Sequence, residues 1–336
     1  MNAATCFVSG VSVLAVSLAT GGPPTRAAAP EAWQDRFTRA EFQSGGATLR
    51  YRLLEPAPAA DGSRPSLVLF LHGAGERGDD NSAQLKHGAV EFERRQAEHP
   101  CLVLVPQCPV GRQWVEVDWS GRAGIGTFPA RPSEPLKLTL EVVDGLIAAG
   151  KVDPHRVYVT GLSMGGYGTW YAAGMPGSRF AAAAPICGGG DPEWAKRYVG
   201  LPTWAFHGAD DKAVPVDRSR EMIAAIKAAG GEPKYTEYPR VGHDSWTRTY
   251  ADDAFHAWLF APTSDRQLRS TTSDGGAAWT TGWRSFPQSP GSRPGLVCGR
   301  EGGVRQLVEP ALQASTGENC NPVRHALCRI KAPSAS

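Results

Sequence analysis

The 336-residue sequence has no H-E-x-x-H and no C-x-x-C pattern, so no motif marks a metal site and no cofactor is expected. It has almost no net charge. The 35 basic and 33 acidic residues leave +2, which gives no electrostatic reason for nucleic acid or an anionic membrane as partner. The N-terminal apolar run, Phe7 to Ala19, falls short of the about 20 residues that a membrane span takes. There is no disulfide framework either, because seven cysteines is an odd number. Cys101 and Cys108 bracket an extended run and would stand about 23 Å apart along it, beyond bridging reach. Free buried thiols are the expectation for Cys101, Cys108 and Cys187, and no pattern marks a catalytic cysteine. Gly75-Glu76-Arg77-Gly78 lacks the Lys-Ser/Thr ending of a phosphate-cradling loop.

What is present divides the chain into three. Residues 1–30 read as an export signal, in which the apolar run leads to small residues with Ser17-Leu18-Ala19 and Ala27-Ala28-Ala29 as cleavage candidates. No Lys or Arg precedes the run, so the usual basic n-region is missing. The expected location is secreted or periplasmic. At the other end, residues 262–336 carry nine basic and five acidic residues, many Ser, Gly and Pro, and isolated tryptophans without periodicity. Such composition reads as a low-order tail. Residues 35–261 hold the periodic part of a chain that is 41% hydrophobic overall, enough to bury a large core.

Within that middle part, short apolar runs alternate with helix-period segments. The runs are Ser66–Leu71, Cys101–Val105, Arg156–Thr160, Phe180–Ile186, Pro202–Phe206 and Lys234–Tyr238. Runs without polar alternation fit strands buried on both faces of a parallel sheet. Leu136, Leu140, Val143 and Ile147 share one helical face. So do Met222, Ile223, Ile226 and Ala229, with Asp217 as N-cap and Gly230-Gly231 as the stop. Ala40–Glu55 alternates about Gly45-Gly46 like a hairpin, and a last helix is expected from about Thr249 to Phe260. The predicted fold class is α/β: a doubly wound, mostly parallel sheet flanked by helices.

Gly161-Leu162-Ser163-Met164-Gly165 lies between the run Val157-Tyr158-Val159-Thr160 and a small-residue helical stretch. Strand, sharp turn and helix are the context that a G-x-S-x-G nucleophile elbow requires. Composition alone yields about 0.3 chance matches to the pattern in a chain of this length, so context carries the weight. A serine hydroxyl needs a base within hydrogen-bond reach to act as a nucleophile. His243, in a loop after the last apolar run, is the candidate base. Its rivals are His207 and His72, each in a His-Gly turn where a backbone role fits better, and His256 in the last helix. Asp211 is the candidate for orienting the imidazole, with Asp210 competing, and Asp244 sits too close in sequence to swing back onto it. The order Ser, Asp, His is that of an α/β-hydrolase, and each residue follows a strand at the carboxyl edge where open α/β sheets place their sites.

An oxyanion hole is expected from the backbone N–H of Met164 and of Ala74, with Gly73 as the alternative second donor. Trp114, Trp119 and Trp246 are candidate substrate contacts, with the Gly/Pro-rich stretch 121–135 lying over the site. Leu71-His72-Gly73-Ala74-Gly75-Glu76-Arg77-Gly78, Gly161 to Gly168 and Gly242-His243-Asp244-Ser245-Trp246 together resemble a known group over about residues 40–261. It is that of the secreted α/β-hydrolase esterases often labelled predicted peptidases, related to dienelactone-hydrolase-like and polyhydroxyalkanoate-depolymerase-like enzymes. The resemblance implies Ser163, Asp211 and His243 as a triad, and hydrolysis of a small-molecule or polymer-linked carboxylic ester. Two other readings stand beside it. One is a serine peptidase of the prolyl-oligopeptidase type, for which the gating N-terminal propeller is missing; the other is a non-catalytic polymer-binding protein on the same fold.

Overall fold

The computed structural model describes residues 33–119 and 127–264. The leader expected over 1–30, nearly all of the segment after 262, and residues 121–126 of the stretch 121–135 lie outside the described residues.

Strands β1 (Thr38–Ser44) and β2 (Ala47–Leu54) form the expected hairpin, turning at Gly45 and Gly46 with φ of 59° and 82°. The six runs become β3 (Ser66–Leu71), β4 (Cys101–Gln107), β5 (Val157–Leu162), β6 (Ala182–Ile186), β7 (Trp204–Gly208) and β8 (Lys234–Tyr238). They join in one sheet of order β1-β2-β4-β3-β5-β6-β7-β8. The first two pairings are antiparallel and the rest parallel. Helices α1 (Ala89–Arg94), α2 (Glu134–Ala148), α3 (Met164–Gly174), α4 (Asp217–Ala228), α5 (Trp246–Tyr250) and α6 (Asp253–Phe260) cover it. No helix among the described residues is long and apolar enough to cross a membrane.

The central strands β3 to β6 are buried on both faces, which is why they could be nearly uniformly apolar, whereas β1, β2 and β8 are partly exposed and carry polar residues. Along β3, Leu67, Leu69 and Leu71 pack on one side with α2, α3 and α4, while Val68 and Phe70 pack on the other with Phe92, Tyr250 and Phe255. The helices differ from the sequence expectation in three places. The last helix is two, α5 and α6, because Asp252 leaves the helical conformation and caps the second through Ala254 N–H. Asp217 is the first residue of α4 rather than its cap, which is Val216. In α2 the buried face runs through Leu136, Leu138, Val142 and Val143, with Leu140 and Ile147 half-buried at its margin. Pro262 and Ser264 are tied to the body, Pro262 O accepting from Tyr158 Oη–H and Ser264 N–H donating to His155 O.

Helix α3 is buried along its whole length, and glycine makes that possible. A Cβ on Gly165 would lie 1.9 Å from the carbonyl oxygen of Leu71, and one on Gly161 2.6 Å from the same atom. Backbone against backbone leaves no side chain to swing away. Gly165→Ala is therefore expected to destabilise by about 4 kcal/mol or more, beyond ordinary overpacking, as read by chemical denaturation. A loss under about 1 kcal/mol would mean that α3 is not seated on β3 as described.

Candidate active site

Ser163 stands between β5 and α3 with φ 55° and ψ −118°, a conformation that β-carbon-bearing residues rarely adopt. The surrounding backbone imposes it. Ser163 N–H donates to Ile186 O at the end of β6 (2.9 Å), and Ser163 O accepts from the amides of Gly166 and Tyr167 on α3. The serine is thus turned out over the sheet's carboxyl edge.

The other two candidates arrive on adjoining loops. Gly208, closing β7, lies so near the His243 loop that a Cβ there would be 2.1 Å from Gly242 O, and Asp210 N–H donates to Val241 O. His243 Nε2 lies 2.9 Å from Ser163 Oγ, and its Nδ1 lies 2.7 Å from Asp211 Oδ2. Burial pushes the Asp211 carboxyl up, but hydrogen bonds from His207, His243 and the Val214 amide outweigh it and hold the group well below the usual carboxylate range. An ionised carboxylate only accepts, so Nδ1 carries the imidazole proton and Nε2 offers its lone pair to the serine hydroxyl. Asp210 is exposed and Asp244 caps Thr247, so neither competes for the imidazole.

Two rival histidines are packing groups. His72 Nδ1 lies 2.6 Å from Gly73 O, and its Nε2 accepts from Cys108 N–H at 2.9 Å. His256 Nε2 meets Tyr250 O within α6 and its neighbours. Burial lowers both to about 4, against small opposing contributions from those carbonyls. Because the unfolded chain takes up these protons near 6.5, stability is complete above that pH and falls as pH drops from 6.5 towards 4. Each histidine should contribute a loss of about 3 kcal/mol by pH 4. Denaturant unfolding at pH 7 and pH 4.5 reads this directly; equal or greater stability at the lower pH would contradict it.

His207 is the residue that sequence reasoning undervalued. It is fully buried, with Nδ1 2.8 Å from Ser219 Oγ and Nε2 3.0 Å from Val214 O and 3.2 Å from Asp211 Oδ2. Its nitrogen therefore faces the same carboxylate as His243, a relation that a His-Gly turn does not disclose. Asp211 Oδ1 accepts from the amides of Ala213 and Val214, so both its oxygens are held. Cys187 directly follows β6, and its Sγ, a nitrogen of His243 and a carboxylate oxygen of Asp211 all lie within 4.8 Å of one another.

The amides of Met164, at the start of α3, and Ala74 donate to no other described backbone or side-chain acceptor. Gly73 sits beside the serine, since a Cβ there would be 3.6 Å from Ser163 Cβ. The loop 72–75 and the first turn of α3 thus flank the hydroxyl from two sides.

Residues 94–258 match the dienelactone hydrolase family. A solved thermostable esterase is 39% identical with a TM-score of 0.64, over 69% of this chain and 64% of its own. Poly(3-hydroxyalkanoate) depolymerase C of Paucimonas lemoignei is 49% identical over 144 residues, 41% of this chain and 31% of its own. NocK of Nocardia uniformis subsp. tsuyamanensis is 30% identical over 200 residues, 58% of this chain and 55% of its own. The chain spans less than two thirds of the length of each. The sheet order and these neighbours make the architecture an α/β-hydrolase fold.

The three candidate tryptophans fall into different environments. Trp114 corrects the sequence reading. It is fully buried, donates from Nε1 to His72 O and packs over Gly168, so it braces the loop 72–75 from beneath instead of presenting a surface. Trp119 is half-buried, 6.4 Å from the Tyr167 ring, and lines a cavity of about 530 Å³ with Gln113 and Asp118. Trp246 presents its ring edge-on to His243 at 5.2 Å and tilts against His87 at 5.4 Å, so the indole walls the imidazole on the outer side. The described end of the stretch 121–135 is clasped to the body by Phe128 N–H on Asp191 and by Tyr171 Oη–H on Pro129 O.

Proposed function

We propose that the chain is a serine carboxylesterase acting through Ser163, His243 and Asp211. The observation that carries this reading is the continuous relay of 2.9 Å and 2.7 Å from Ser163 Oγ through the imidazole to Asp211 Oδ2. Ser163 Oγ attacks the ester carbonyl as His243 Nε2 takes its proton. The Asp211 carboxylate stabilises the imidazolium formed in that step. The Met164 and Ala74 amides hold the oxyanion, each donor of this kind being worth about 10²–10³ in rate. His243 returns the proton to the departing alcohol; water then adds to the acyl-enzyme by the reverse relay and releases the acid. No step calls on a cofactor.

The esterase and depolymerase relatives support an ester substrate, either small or carried on a polymer. Trp119 and Trp246 are the proposed aromatic contacts. The catalytic unit spans 35–261, and the apolar run Phe7–Ala19 supports export to a secreted or periplasmic location. The test is a substrate panel: p-nitrophenyl esters of graded acyl length, polysaccharide-linked esters, a poly(3-hydroxyalkanoate) film and matched anilides. Hydrolysis of one or more ester classes with little anilide turnover is expected. Anilide or peptide cleavage without ester turnover would replace this reading with the peptidase one.

A further inference from the structure

We propose that Cys187, Asp211 and His243 form a chelating site for a thiophilic divalent cation, zinc or cadmium, whose occupation switches the triad off. The inference rests on the catalytic reading above only for its effect on activity; the site itself rests on geometry. A thiol, an imidazole nitrogen and a carboxylate oxygen, brought together from the ends of three strands, lie within 4.8 Å of one another. Four-coordinate zinc, with bonds of about 2.0–2.3 Å, holds its ligand atoms about 3.5 Å apart, so closing the site takes side-chain shifts of about an ångström. A mixed sulfur, nitrogen and oxygen set favours zinc or cadmium over magnesium or calcium.

The thiol is held in place rather than resting there by chance. Cys187 has φ 40°, in the left-handed region, and its N–H donates to Phe206 O at 2.8 Å. The Ser163 amide and the Ser245 hydroxyl lie against its sulfur. Ser245 is itself fully buried beside that sulfur. Cys101, at the start of β4, and Cys108, directly after it, are the other described thiols; both are buried and belong to no such cluster.

The proton balance says what binding does. The cation takes the Cys187 sulfur as thiolate and Asp211 through its carboxylate, and one proton, from the thiol, leaves to solvent. To ligate through Nδ1, His243 shifts its proton to Nε2, so that Nε2–H then faces Ser163 Oγ. In that tautomer the imidazole has no lone pair for the serine proton, and the base is lost. The charge of a dipositive ion is balanced by thiolate and carboxylate. Burial, and then the negative charge of Asp211, hold the Cys187 thiol protonated in the free protein, with Asp244 adding to this and the Ser163 amide and Ser245 opposing it. Tyr167 and Tyr250 are the other titratable groups facing the sulfur, and His207 and His243 face Asp211.

Cadmium is titrated into the wild-type chain, Cys187→Ser and Ser163→Ala, following both ester hydrolysis and the ultraviolet thiolate-to-cadmium charge-transfer band. The expected result is a band saturating at one ion per chain that is lost in Cys187→Ser, and inhibition at least tenfold weaker in that variant and reversed by EDTA. Ser163→Ala keeps all three ligands and should show the band with no turnover. If wild type hydrolyses no ester, the catalytic reading fails while the band still decides the site. Equal bands and equal inhibition in wild type and Cys187→Ser would overturn it. Cys187→Ala, with its folding checked by thermal unfolding, replaces the serine variant if that one does not fold.

Discussion

Ser163→Ala is expected to lower kcat for ester hydrolysis by about 10⁴- to 10⁶-fold with the fold unchanged, because members of such a relay act as a unit. The residual rate comes from the amides of Met164 and Ala74, which still meet the oxyanion when water attacks in place of the hydroxyl. KM should move little, since the hydroxyl contributes to the transition state rather than to uniform binding. Steady-state kinetics with the best ester of the panel measures both. The same residue carries backbone strain at φ 55°. Ser163→Gly should therefore be inactive but more stable than wild type by about 1 kcal/mol, since glycine adopts that conformation freely. A glycine variant less stable than wild type would mean that the turn is unstrained.

Asp211→Asn should reduce kcat by about 10⁴-fold, because the amide reverses the hydrogen-bond logic of the site. Oδ1 accepts from the Ala213 and Val214 amides, so the asparagine oxygen is drawn there and its NH₂ is left facing His243 and His207. His243 then presents Nδ1 as acceptor and places its proton on Nε2, against Ser163. His207 Nε2, 3.2 Å from the same position, loses an acceptor but keeps Val214 O. The expected outcome is thus a tautomer error in a folded protein, visible as a kcat loss with normal thermal unfolding at neutral pH. A loss under about tenfold would show that Asp211 is not what orients the imidazole.

How far the sequence foretells this site follows from the range of each signal. The elbow is legible because strand, turn and helix are contiguous, and the glycine spacing is demanded by Leu71 O and Ile186 O lying against the α3 backbone. Lys234–Tyr238 reads as a strand and is one, and the two loops that follow β7 and β8 can be placed at the carboxyl edge from chain order alone. What stays hidden depends on side-chain direction across the tertiary fold. Trp114 and Trp119 are five residues apart, yet only Trp119 remains partly exposed, because Trp114 turns under the His72 carbonyl. His207 and Asp211 stand four residues apart around a turn, and nothing local says that the ring folds back onto the carboxylate. Cys187 lies in a Gly-rich stretch whose sequence says only that it is buried. The break at Asp252 hides within a continuous helical pattern, where a capping aspartate competes locally with helix propagation.

The most direct measurement is the mass of the chain after exposure to a fluorophosphonate, which phosphonylates only an activated serine. The account predicts one adduct per chain, mapped to the peptide containing Ser163, and none in Ser163→Ala, His243→Ala or denatured protein. An adduct on another serine, or full ester turnover by a chain that takes up no label, would contradict it.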